Sequence, residues 1–171
     1  MDFKELITAL SKINEQLREQ SIRAVNTSLT LRTWFFGFYI LEFEQNGKDR
    51  AGYGKALLAN IAAEMKALCI ANTDERELRR YRQFYIIYPG AANLIAANHQ
   101  IRELLPPKLL QKEPENKKPL NRGLANPDLN IPYTHYFNLF NRISYTHFVE
   151  LIRVDEPLKR LFYELECVKG T

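Results

Sequence analysis

Six of the eight prolines fall between positions 106 and 132, at Pro106, Pro107, Pro114, Pro119, Pro127 and Pro132. Proline lacks an amide hydrogen and clashes with the preceding turn, so neither a helix interior nor a central strand can run through such a stretch. The same stretch carries Lys108, Lys112, Lys117, Lys118 and Arg122, and no apolar period survives in it. It reads as a long Pro-rich loop, partly mobile, between two regions that are free to be helical.

Outside the loop, apolar residues recur at helical spacing. Phe3, Leu6, Ile7, Leu10, Ile13 and Leu17 lie three and four apart, with Lys4, Lys12, Glu15 and Arg18 off the stripe. That predicts an amphipathic helix over residues 3–20. A second is expected over 21–45, where nearly every residue from 34 to 43 is apolar and should be buried all round. Asn46-Gly47 closes it. Leu57, Ile61, Met65 and Leu68 mark a third helix. A fourth is expected over 74–88, capped by Asn72 or Thr73, with Asp74 and Glu75 against the positive end of its dipole and Pro89-Gly90 at its close. A shorter one is expected over 91–105. Beyond the loop, order should return at 133–140, Ser144 can cap a helix through Arg153, and Asp155 can cap a last one. The stripe of that last helix is Leu158, Leu161, Phe162, Leu165 and Val168. The reading is all-α, one helical domain across residues 1–171. With 46% hydrophobic residues, 9 Tyr and 10 Phe, a core can form without staples, and seven glycines are too few for the corners of a β-sandwich.

The net charge of +4 permits nucleic acid as a partner without requiring it. Cys69 and Cys167 cannot build a disulfide framework and form no CxxC pair; both are expected as buried or half-buried small hydrophobes. The N-terminus has no secretory pattern, and the most apolar run is far short of a membrane span, so a cytoplasmic protein with no membrane partner is expected. His99, His135 and His147 stand at no metal spacing, and His147 reads as a helix-start or core residue. No GxSxG, phosphate loop or dinucleotide motif is present, and no cofactor is expected. Asp49 with Glu64-Met65-Lys66 has the loose D…(D/E)xK spacing of metal-dependent nucleases, whose carboxylates hold Mg²⁺ while the lysine positions water. Glu64 and Lys66 lie in a helical pattern, however, where residues two apart diverge, and Glu115-Asn116-Lys117 sits in the loop. No catalytic residue and no metal ligand is assigned, and the chain by itself is not expected to be an enzyme.

The strongest functional signal lies about residues 55–88. A helix, a turn of about four residues and a second helix is the spacing of a helix-turn-helix, with a winged-helix-like variant open. On the second helix Leu78, Tyr81, Tyr85 and Tyr88 share one face, and Arg76, Arg79, Arg80 and Gln83 share the opposite one. Those four are the candidates for contact with DNA, and Arg82 and Lys55 are candidates for its phosphates. The plainer alternative is a solvated basic face on an ordinary helical hairpin.

Several stretches together resemble the YhcG family of bacterial proteins. They are Ala51-Gly52-Tyr53-Gly54-Lys55 followed by Leu57-Leu58, then Leu78-Arg79-Arg80-Tyr81-Arg82-Gln83-Phe84-Tyr85 with Tyr88-Pro89. Ser144-Tyr145-Thr146-His147-Phe148-Val149-Glu150-Leu151-Ile152-Arg153 and Arg160-Leu161-Phe162-Tyr163-Glu164 complete the set, and the similarity covers most of residues 20–170. The resemblance implies a helical, helix-turn-helix-like N-terminal domain that is followed, in full-length members, by a PD-(D/E)XK endonuclease domain. This sequence departs from the pattern twice. It stops at Thr171, where members continue through a Trp-Ser-Val-Arg-like helix into the nuclease. Its Ile70-Ala71-Asn72-Thr73 turn also lacks the Gly-x-Gly-Phe-Ser-like lead-in that sets how the second helix is presented. The expected function is the DNA-binding or targeting half of a YhcG-like nuclease, with double-stranded DNA as partner and the nuclease domain absent. The alternative is a protein-interaction or dimerisation module of a nuclease or defence complex, forming a homodimer or docking a partner through residues 34–43 or the loop.

Overall fold

The computed structural model describes residues 2–46, 56–92, 95, 103 and 133–170. Six helices are defined among them: α1 (Phe3–Asn46), α2 (Leu57–Ala67), α3 (Glu75–Ile87), α4 (Tyr133–Arg142), α5 (Tyr145–Leu151) and α6 (Pro157–Lys169). No strand occurs among the described residues, in keeping with the all-α reading. The Pro-rich loop at 106–132, most of the helix expected over 91–105, His99, Asp49 and Lys55 lie outside the described residues.

The two helices expected at the N-terminus are one. α1 runs unbroken for 44 residues, about 66 Å at 1.5 Å per residue. No proline or glycine stands near position 20 to stop it. Its start is held by a reciprocal capping box, in which the Glu5 amide donates to Asp2 Oδ1 at 2.7 Å and the Asp2 amide donates to Glu5 Oε2 at 2.8 Å. Only the C-terminal half packs. Thr30, Thr33, Trp34, Phe35, Phe38 and Ile40 are buried, whereas Phe3, Ile7, Leu10, Ile13 and Leu17 are exposed. The aromatic run at 34–43, considered above as a docking surface, is therefore mostly interior, with Tyr39 and Phe43 left half exposed.

α3 crosses α1 at Gly37. A Cβ at this position would lie 2.0 Å from the Tyr81 carbonyl oxygen, so only a hydrogen lets the two backbones come so close. Aromatic rings close the crossing on both sides. Trp34 meets Tyr85 edge-on at 5.1 Å and stacks on Phe38 at 6.0 Å, and its indole N–H donates to the Tyr88 carbonyl at 2.8 Å. From α3, Phe84 continues the core into α4 and α5 through Phe140 at 5.7 Å and Phe148 at 4.8 Å. Leu78 and Tyr81, with Ile40 and Leu58, form a smaller cluster under α2.

α6 buries only part of its apolar stripe: Leu161 is half-buried and Val168 packs against the core. Leu158, Phe162 and Leu165 point outward, while Arg160 and Glu164 are buried. Its N-cap is Glu156, followed by Pro157 in the first turn, rather than Asp155. Cys69 is exposed, against expectation, and Cys167 is half-buried.

Gly37→Ala should therefore destabilise the fold although alanine is the better helix former. Forcing a methyl group against the Tyr81 carbonyl costs about 3 kcal/mol at the upper end of overpacking, which for a chain of this size is a Tm loss of roughly 6–12 °C. Thermal unfolding followed by circular dichroism reads it directly; an unchanged Tm would mean that the helices do not cross at this residue.

Candidate nucleic acid interface

The connection that presents α3 spans residues 68–74, longer than the four-residue turn expected. Cys69 and Asn72 both adopt positive φ, at 56° and 59°. Asparagine tolerates this region through local hydrogen bonding; cysteine has no such help. The cap of α3 is Asp74 rather than Asn72 or Thr73: its Oδ1 accepts from the Glu77 amide at 3.0 Å. Thr73 is buried, its hydroxyl donating to the Ile70 carbonyl at 2.8 Å, and the Asn72 carbonyl accepts from the Tyr81 hydroxyl at 2.5 Å. Both expected caps thus tie the turn to the core instead.

The core face of α3 is as read from the helical wheel, with Phe84 and Ile87 added to Leu78, Tyr81 and Tyr88. The opposite face divides. The side chains of Arg76 and Arg79 are 73% and 59% exposed; Arg79 pairs with Glu75 at 2.6 Å, and Arg76 lies 3.9 Å from Glu77. Arg80 is half-buried and paired with Glu77. Arg82 reaches across to Glu44 of α1 at 2.7 Å, and Gln83 is half-buried. From Arg80 onward no residue of α3 is fully exposed. Over residues 74–82, four arginines oppose Asp74, Glu75 and Glu77, a net charge of 4 − 3 = +1. The result is an edge of alternating sign at the start of the helix, with Arg76 and Arg79 as its outermost groups, rather than a continuous positive stripe.

A cleft of about 560 Å³ lies beside this edge, where the start of α3 meets α1 and α5. Arg32, Arg76, Arg80, Ser144 and Thr146 line it together with Asp74, Glu77 and Glu150. Arg32 donates to the Ala71 carbonyl at 3.3 Å and sits 5.3 Å over the Phe36 ring. Burial, with the Glu77 charge next, raises the Tyr145 phenol above its usual range.

Glu64 and Lys66 are both exposed on α2, and no group of three or more His, Cys, Asp or Glu is placed to hold a metal among the described residues. No helix there is long and apolar enough to cross a membrane. His147 has the helix-start role expected, its Nδ1 2.9 Å from Ser144 Oγ.

His135 was not singled out, and it belongs to a buried polar cluster. Its Nε2 lies 2.7 Å from Glu164 Oε2, the Tyr88 hydroxyl donates to Glu164 Oε1 at 2.7 Å, and Arg160 Nε lies 3.8 Å from the same oxygen. Arg160 also donates to the Val154 carbonyl at 3.0 Å. Burial and then the Glu164 charge push the Tyr88 phenol far up, and the same two causes push Tyr136 up to about 12. Both carboxylate oxygens are taken, so the cluster binds the end of α3, α4 and α6 together rather than offering a free acid or base. The spacing of Arg160 and Glu164, four apart and off the apolar stripe, was the available signal.

Residues 9–112 match the DUF1016 N-terminal domain family. The protein named Putative nuclease YhcG, from Escherichia coli (strain K12), is 26% identical over 167 residues, which is 98% of this chain and 41% of that protein. The chain thus spans about two fifths of the length of this curated relative. No solved structure matches. The family match takes in Tyr88, while His135, Arg160 and Glu164 fall beyond it, within the greater span of the YhcG alignment.

Removing the carboxylate leaves Arg160 buried without its partner charge. Glu164→Ala should cost about 3–5 kcal/mol, as breaking a buried pair from one side does, and should be visible in urea unfolding as a lowered midpoint at unchanged slope. A loss below about 1 kcal/mol would mean that solvent reaches the cluster.

Proposed function

The chain belongs to the DUF1016 N-terminal domain family, and we propose that it serves as the targeting half of a YhcG-like PD-(D/E)XK nuclease, holding double-stranded DNA in the cytoplasm without cutting it. The observation that carries this reading is the placement of Arg76 and Arg79: exposed, one turn apart, at the start of a helix whose other face is fixed in the core. In this reading α2 and α3 act as a helix-turn-helix that meets the duplex by the leading edge of α3 rather than along its length. Arg76 and Arg79 contact phosphates, and Arg80 joins them by leaving Glu77. Gln83, half-buried and farther along the helix, is set back from this contact. Lys55, just before α2, adds a phosphate contact. Arg82 holds α3 to α1 and contributes through position alone. The similarity to a protein named as a nuclease supports the class of partner, and the diverging Glu64 and Lys66 support a non-catalytic role.

Two phosphate contacts release about two counterions, so Arg76→Ala with Arg79→Ala should lower the log–log salt slope of duplex binding by roughly 2. Both side chains are exposed, so the Tm should stay within about 1–2 °C. Arg82→Ala should leave the slope unchanged and cost at most about 1 kcal/mol of stability, its pair being only partly buried. Fluorescence anisotropy at several salt concentrations separates these outcomes. A folded double variant that binds as tightly, and with the same slope, removes the DNA reading.

A further inference from the structure

We infer that the N-terminal arm of α1 is a dimer seam, occupied by the same arm of a second copy of this chain running antiparallel. The inference is independent of DNA binding.

Phe3, Leu6, Leu10, Ile13 and Leu17 follow one another at intervals of three, four, three and four. That is the a/d repeat of a two-stranded coiled coil, with a period of 3.5 rather than the broader stripe of a helix lying on a globular core. The same register continues through Ala24, Leu31, Trp34 and Phe38, with polar Gln20 and Thr27 at the two positions between Leu17 and Leu31 that are not apolar. Toward the end of the helix Trp34 and Phe38, on the same line, are buried in the molecule's own core. In the N-terminal half the row is open among the described residues: Phe3, Leu10, Ile13 and Leu17 are 77%, 54%, 52% and 58% exposed, and Leu6 is half-buried. A row of large apolar side chains about 21 Å long, on a helix that propensity alone would not keep folded, marks a contact surface.

The charges say which partner fits. Over residues 2–24, Asp2, Glu5, Glu15 and Glu19 balance Lys4, Lys12, Arg18 and Arg23, a net charge of 4 − 4 = 0. Arg23 pairs with Glu19 at 3.0 Å and Arg18 with Glu15 at 3.8 Å, within the helix itself. Of the positions flanking the seam, Ile7, Ala9, Asn14, Gln16 and Ser21 are uncharged, and the charged ones, Asp2 and Arg23, stand only at its two ends. Such an arm offers nothing to DNA or to a strongly charged protein, and it meets an identical arm without like-charge repulsion.

Orientation follows from where the seam ends. Thr27, next on the line after Ala24, already donates to the Phe140 carbonyl of α4 at 3.4 Å. A parallel second helix continuing down the line would run into α4. An antiparallel one terminates there and leaves the two globular ends apart. Its twofold register places Leu10 against Ile13 of the second copy and Leu6 against Leu17, closing the assembly at two.

The test uses the full chain. Sedimentation equilibrium from about 1 to about 100 µM, the range in which a short coiled coil assembles, should show the mass moving from 20.0 kDa to twice that. Leu10→Glu with Ile13→Glu should hold the chain at the monomer mass with its Tm unchanged, because neither residue is buried. Leu158→Glu with Phe162→Glu, on the exposed face of α6, should leave the dimer intact. For orientation, Leu10→Cys and Ile13→Cys chains, each with Cys69→Ser and Cys167→Ser, should cross-link when mixed and not separately. A wild-type chain that stays monomeric throughout the range overturns the inference. So does a dimer that survives the Glu substitutions, or a Leu10→Cys chain that links to itself.

Discussion

The approach of two backbones at Gly37 is the constraint from which the rest of the molecule follows. A glycine in the middle of a helix costs about 1 kcal/mol against alanine, and here it removes the one atom that would hold α1 and α3 apart. With the helices in contact, Trp34 reaches both Tyr85 and the Tyr88 carbonyl, and Phe84 is delivered to the rings of α4 and α5. Tyr88, one turn beyond Phe84, then carries its hydroxyl to Glu164 and so draws in α6. The chain of contacts runs from one missing methyl group to the last helix. It also fixes α3 along its whole inner face, which is why the arginines at its start stand on a rigid base.

Much of this was legible locally. Helix positions come from the three-and-four spacing of apolar residues, and α2, α3, α4 and α5 lie close to where that spacing puts them, within a few residues at their ends. What spacing cannot supply is the identity of the cover. The stripe from Phe3 to Leu17 correctly announces a helix and an apolar face, yet the face meets nothing in its own chain among the described residues. The stripe of α6 misled for a different reason. Arg160 and Glu164 are buried because partners far along the chain, Tyr88 and His135, satisfy Glu164, and no local pattern contains that information. Gly37 was visible as a glycine in an otherwise bulky apolar run, the kind of position where another backbone comes close. The break expected near residue 20 had no proline, glycine or cap behind it, and the helix runs through.

The candidate interface shows the limit of counting like residues on a helical wheel. The wheel placed Arg76, Arg79 and Arg80 on the correct side of α3. It did not include the acids that interleave with them, and three of the four arginines between 76 and 82 are in close ion pairs, with Glu75, Glu77 and Glu44. Pairs at i,i+3 and i,i+4 on an exposed helix are worth only a few tenths of a kcal/mol each, so a phosphate can displace Glu75 from Arg79 at little cost. Arg82 differs, because its acid comes from another helix and losing the pair would loosen α1 from α3. Burial and partner origin, rather than charge, separate the arginines open to solvent from the one that ties two helices together.

α1 joins the two surfaces that the molecule presents. Its C-terminal half carries α3 through Gly37 and Trp34, and its N-terminal half carries the uncovered seam, on one helix of 44 residues with no break. Long helices curve gently, and sharp bends come from proline, from glycine with serine or from bulges. Gly37 is packed against Tyr81, and the arm itself contains neither glycine nor proline, so the arm is a stiff lever on the core rather than a hinge. In the proposed antiparallel dimer, two such levers set the distance and the twofold relation between two copies of the α3 edge. Each edge carries a net charge of only +1 over its leading residues. On the proposed DNA-binding role, two such edges held at a set spacing act on a duplex as one bivalent site, with an effective local concentration that a single edge lacks. On that proposal the stiffness of α1 converts a modest arginine pair into a selective contact, because only DNA that offers phosphates at both positions gains from the second edge.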